Sequence, residues 1–126
     1  MTASDSVIRR SLIAISGLTM VSGAAQLLAP RRMLKALAAE GDATARHFFA
    51  TIGMFMVVVG GGLLNALLRP GRDPVIVLWA ALQKLGASLA VGLGVRRRVF
   101  SPLALGVAFF DLLSGLLAAE HWRRIR

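Results

Sequence analysis

No cysteine occurs in this 126-residue chain. That excludes disulfides, thiolate metal sites and thiol nucleophiles, and leaves the compartment open. Histidine is almost as scarce. No His, Asp or Glu stands at ligand spacing from His47, so neither zinc nor haem is expected, and no cofactor. Ser16, Ser22 and Ser101 have no base near them in sequence, and no nucleophile-elbow motif is present. The triplet Gly60-Gly61-Gly62 lacks the Lys-Ser/Thr that a phosphate loop requires, and it sits between Val57-Val58-Val59 and Leu63-Leu64. It is helix interior, where glycine permits close approach of a neighbouring helix or a bend. No catalytic residue is assigned, and a non-enzymatic role is the first expectation.

Carboxylates are also few: 6 Asp and Glu against 15 Lys and Arg give a net charge of +9. In a soluble chain such a balance suggests nucleic acid. Here every cation except Lys84 lies at or beyond the end of an apolar run, where it meets anionic headgroups. Membrane lipids are the expected partners; nucleic acid is not.

What the chain has is apolar surface. It is 56% hydrophobic with a mean hydropathy of +0.70, more than a soluble domain of this size can hide. Runs of roughly 20 residues, the length needed to cross a bilayer, cover Ser11–Ala29, His47–Leu68, Pro74–Val95 and Ser101–Ala119. One all-α membrane domain follows: a four-transmembrane-helix bundle joined by short turns, with no room for a soluble domain. Met1–Arg10 reads as a short polar lead. The basic start and the Gly23-Ala24-Ala25 stretch resemble a signal peptide, yet the apolar run is longer than a signal core, so a retained first helix is expected. Pro30 ends it.

In the connection Arg31–Arg46, Met33, Leu34, Leu37 and Ala38 share one helical face while Arg31, Arg32, Lys35 and Glu40 lie elsewhere, which predicts a short interfacial helix after the first span. Asp42 or Thr44 is placed to cap the next helix. Arg46 and His47 open the second span at the interface, and His121-Trp122 followed by arginines forms an anchor at the far end. Arg69-Pro70-Gly71-Arg72-Asp73-Pro74 is a turn. Gly86, Ala90 and Gly94 form a small-residue stripe for close packing on the third span, and Asp111, Gly115 and Ala119 form a similar one on the fourth. A faint repeat links the first and third spans, each with a glutamine (Gln26, Gln83) and a basic cluster behind it.

Lys84 and Asp111 carry the unusual chemistry. Arg96-Arg97-Arg98 separates their spans, which should be antiparallel neighbours. Lys84 lies about 12 residues before that cluster and Asp111 about 13 after it; at roughly 1.5 Å per residue both sit near the bilayer midplane. Opposite charges at matched depth read as an intramembrane ion pair. Gln83, Ser88, Ser114 and Gln26 are candidates to enlarge this polar centre. Two roles stand open: a packing and register lock between the last two helices, or a proton relay, ion relay or polar anchor for a ligand.

With four spans, the amino terminus, the second turn and the tail share one side, bearing Arg9, Arg10, Arg69, Arg72, Arg123, Arg124 and Arg126. The other side bears an equal set: Arg31, Arg32, Lys35, Arg46, Arg96, Arg97 and Arg98. The positive-inside rule therefore gives no orientation. Dual-topology proteins show such a balance; chance, or orientation by a partner, produces it as well.

Ala45-Arg46-His47 opening the second span, Gln83-Lys84-Leu85-Gly86 and Phe110-Asp111-Leu112-Leu113 together resemble the DoxX-like group of small bacterial membrane proteins. The resemblance implies a four-helix bundle and, as in some members of that group, association with quinone-linked membrane enzymes. It carries no catalytic motif. The expectation is an accessory or assembly subunit of a larger membrane complex, or a homo-oligomer, in the bacterial inner membrane. A small oligomeric transporter or channel coupled through Lys84 and Asp111 is the alternative, and a lipid- or quinone-binding protein the third.

Overall fold

A computed structural model describes residues 2–39 and 41–126. They form helices and short turns, with no strand among the described residues. Met1 of the polar lead, and Glu40 of the connecting segment, lie outside them.

Helix α1, Ala3–Leu28, starts well before its apolar run because Thr2 and Asp5 form a capping box: the Thr2 amide donates to the Asp5 carboxylate (2.8 Å) while the Asp5 amide donates to the Thr2 hydroxyl (3.2 Å). The expected polar lead is thus the first two turns of helix. Pro30 ends α1, leaving Ala29 at φ −136°, and opens α2, Pro30–Ala36. This short helix buries Leu34. It stops where Ala38 turns left-handed (φ 51°), outside the helical face predicted for it. Asp42 accepts from the Ala45 amide (2.8 Å) to start α3, Ala43–Leu68. Helix α4, Pro74–Arg96, starts on its proline and ends where Arg98 (φ 60°) lets the Val99 and Phe100 amides donate to Gly94 O at 2.8 and 3.2 Å. A 3-10 turn, Pro102–Ala104, leads into α5, Leu105–Ile125. The predicted tail after Ala119 is therefore mostly helix.

Helices α1, α3, α4 and α5 are all long and apolar enough to cross a membrane. Each packs on its sequence neighbour, and α5 returns to α1, giving a ring of antiparallel helices in chain order with α1 and α4 on a diagonal. Within the ring α1 with α3, and α4 with α5, make the close contacts. The bundle is two hairpins set side by side.

The inward positions follow a coiled-coil-like seam. On α1 they are Leu12, Ser16, Thr19, Gly23 and Gln26; on α4 they are Val77, Ala80, Ala81 and Lys84. Along the axis this makes three layers. Near the chain ends lies an apolar core of Leu12, Leu63, Leu67, Val77, Ala80, Ala81 and Ala118. Polar residues fill the middle. Beyond them α1 and α3 meet backbone to backbone: a Cβ on Gly53 would lie 2.5 Å from Gly23 O, and one on Gly23 2.6 Å from Gly53 O. Gly60 lets α1 approach similarly, its added Cβ falling 3.1 Å from Met20 Cγ.

The stripe expected on α4 does not pack within the chain. A Cβ on Gly86 would meet nothing within 4 Å, Ala90 is exposed, and Gly94 is covered by Phe100 of its own turn. The reason is angular: Gly86 lies roughly 200° around the helix from Lys84, and Lys84 points inward. On α5, by contrast, Gly115 is buried against Leu85.

The outer surface is apolar. Leu28, Val21, Trp79, Leu89, Phe109 and Phe55 are all more than half exposed, an inversion of soluble packing that suits a hydrocarbon solvent.

Candidate functional site: a buried ionic centre

Lys84 leaves α4 with Ala80 and Ala81 beneath it, both buried, so its stem crosses a narrow floor toward the bundle axis. Its Nζ donates to Asp111 Oδ1 on the neighbouring α5 (3.0 Å) and to Thr19 Oγ1 on the diagonal helix α1 (2.8 Å). It also lies 5.3 Å from the centre of the Phe110 ring, within range of a cation–π contact. Lys84, Asp111 and Thr19 are 5%, 8% and 3% exposed. An ammonium has three N–H donors; two are taken by oxygen and an aromatic face lies close by. The cation ties three helices together.

The polar residues around it are mostly occupied elsewhere. Ser88 Oγ donates to Ala108 O across the α4/α5 interface (2.7 Å), and Ser114 Oγ to Phe110 O on its own helix (2.7 Å). Gln26, proposed for the polar centre, instead donates from Nε2 to Phe49 O (2.8 Å) and closes the α1/α3 hairpin. Gln83 is partly exposed, and its Oε1 has no hydrogen-bond partner. The structure therefore brings together Lys84 and Asp111 from the predicted set, keeps Ser88 and Ser114 alongside, and takes Gln26 away.

Thr19 was not anticipated. The signal for it is the seam itself: Ser16, Thr19, Gly23 and Gln26 recur at alternating three- and four-residue steps on an otherwise apolar helix.

The residues assigned to the interfaces lie at the bundle ends. Arg46 Nη1 donates to Gly41 O (2.7 Å), and His47 is exposed, edge-on to Phe48 with ring centres 6.4 Å apart. Trp122 is half-buried against the apolar core, and the Arg126 guanidinium lies 4.6 Å from its ring centre. Two further contacts join the hairpins near the ends: Arg124 reaches Asp5 (2.8 Å) and Ser4 (3.0 Å), and Ser101 Oγ donates to Leu37 O (2.7 Å). At the end that holds the chain termini, Arg9 Nε donates to Leu67 O (2.9 Å), satisfying a carbonyl in the last turn of α3.

Two cavities, about 320 and 290 Å³, lie one at each end of the bundle, and neither is lined by Lys84 or Asp111. No group of three His, Asp or Glu side chains is placed to hold a metal among the described residues. Chemically, the centre can hold a lysine and an aspartate in a shared, desolvated setting and fix the relative depth of three helices. Comparison with family models, with curated proteins and with solved structures gives no match.

Proposed function

We propose that this protein is a small integral membrane protein that serves, without catalytic chemistry of its own, as an accessory or assembly subunit of a membrane complex or of a homo-oligomer. One observation carries the reading: Lys84 bonds to Asp111 on one neighbour and to Thr19 on the other hairpin, so a single buried cation joins three helices. A charge held from several sides acts as a register lock, since removing one member leaves the other buried and unpaired. The outward Gly86 and Ala90 support the second half of the reading, because small residues let another helix lie close in lipid. Arg124 bound to Asp5 puts both chain ends at one end of the bundle, and we place them on one side of the membrane. The alanine-, glycine-, leucine- and arginine-rich composition favours a bacterial inner membrane. The DoxX-like resemblance at Arg46, Lys84 and Asp111 belongs to the same proposal.

The alternative is an oligomeric transporter or channel coupled through Lys84 and Asp111, two ionisable groups buried side by side. The test is the paired replacement Lys84→Met with Asp111→Leu. As a scaffold, the double variant keeps a thermal midpoint near wild type and the same oligomer or co-purifying partners in detergent. A double variant that folds normally but no longer moves protons or cations across liposomes that the wild type makes permeable would sink the scaffold reading.

A further inference from the structure

Apart from the ionic centre, a cavity of about 290 Å³ lies at the end of the bundle where the termini meet. Its floor is apolar and deeply buried, formed by Leu67 (3% exposed) and Val77 (1%). Its walls are cationic. Arg9 and Arg124 enter from α1 and α5, Arg69 and Arg72 from the α3–α4 turn, and His121 stands beside them.

Of the four arginines, two are already engaged: Arg9 with the Leu67 carbonyl and Arg124 with Asp5. Arg69 and Arg72 make no side-chain hydrogen bond or ion pair among the described residues. His121 gives the cavity a spectroscopic handle. It is 8% exposed, lies on the cavity wall, and its Nδ1 has no hydrogen-bond partner. That nitrogen has almost no accessible surface, so His121 is a reporter on the cavity wall and the ligand contacts fall to the arginines.

We infer that this cavity binds the phosphate group of an anionic phospholipid. Asp5 and Asp73 also line it, so four guanidinium groups face two carboxylates and the excess is positive. Guanidinium forks match phosphate oxygens in pairs. The size falls at the small end of ligand pockets, enough for a headgroup. The apolar floor beneath a cationic rim, at the end of four helices fit to span a membrane, matches an amphiphile better than a free ion. Engagement of Arg69 and Arg72 would tie the α3–α4 turn to α1 and α5.

The inference rests on the membrane reading, and the two fail differently: full-length protein that stays monodisperse in buffer without detergent defeats the membrane reading, whatever it binds. The test uses full-length protein with ¹⁵N-labelled histidine in detergent. The two histidines are assigned by comparison with His47→Gln, a change at an exposed residue. Phosphatidylglycerol, phosphatidylcholine and inorganic phosphate are titrated in turn, and the His121 ring-nitrogen shifts are read.

Saturable movement of the His121 signal with phosphatidylglycerol, and none with phosphatidylcholine, is the expected result. Arg69→Gln with Arg72→Gln should weaken it at least tenfold, whereas Arg97→Gln with Arg98→Gln, which removes equal charge at the far end, should not. Both pairs are exposed turn residues. No movement with phosphatidylglycerol, or equal weakening by both double variants, overturns the site. Saturation by inorganic phosphate at the same concentration overturns the lipid assignment in favour of free phosphate.

Discussion

The two hairpins of this bundle solve one problem by opposite means. In lipid the hydrophobic effect gives helices no reason to associate, so close packing and polar contacts must do so. The α1/α3 hairpin uses shape: Gly23 and Gly53 let two backbones touch, and the Gln26 bond to Phe49 O is secondary. The α4/α5 hairpin uses charge: Lys84 meets Asp111 in a dry interior, with Ser88 bonded to Ala108 O beside it. A shape-based contact fails when atoms are added. A charge-based one fails when they are removed.

That contrast sets an order of expected effects. Asp111→Leu alone should have the largest, about 3–5 kcal/mol of lost stability, because Lys84 stays buried without its counter-charge. Reversible unfolding in mixed detergents measures it; a loss below about 1 kcal/mol would remove the ion pair from the account of the second hairpin. Next comes the same single-atom addition at two glycines. Gly53→Ala drives a methyl into the Gly23 carbonyl and should cost about 1–3 kcal/mol. Gly86→Ala meets open space within the chain and should stabilise the monomer by about 0.5–1 kcal/mol through helix propensity. Equal signs at the two sites would dissolve the distinction between the hairpins. Thr19→Val, which keeps the volume and removes one acceptor from Lys84, falls between the two glycine changes; a loss of about 1–2 kcal/mol is expected. If Thr19→Val and Asp111→Leu then combine additively, Thr19 and Asp111 do not act through the shared lysine.

Much of the fold was legible because a membrane-crossing helix needs a long apolar run, and four such runs separated by Pro30, Pro70 and the Arg96-Arg97-Arg98 cluster are hard to read otherwise. The depth match of Lys84 and Asp111 was legible too, since a short turn between antiparallel helices fixes register. Helix ends were less so. The capping box at Thr2 and Asp5, and the continuation of α5 to Ile125, depend on local hydrogen bonds rather than on hydropathy. Rotation was hardest. Reading both Lys84 and Gly86 as packed inward asks one helix to face two ways, and the structure resolves that conflict in favour of the lysine. His121 was read with Trp122 as an anchor, but the extended α5 carries it to the inward seam, where it is buried.

Thr19 adds a matter of timing. Lys84 and Asp111 stand 27 residues apart, whereas Thr19 precedes Lys84 by 65. At ordinary synthesis rates of about 5–20 residues per second, Asp111 is made on the order of 1–5 s after Lys84. During that interval the lysine has no counter-ion in its own hairpin, but the hydroxyl on α1 has long been synthesised. The diagonal hydrogen bond that braces the finished bundle thus gives the ammonium an acceptor made before it, as the carboxylate gives it one made after.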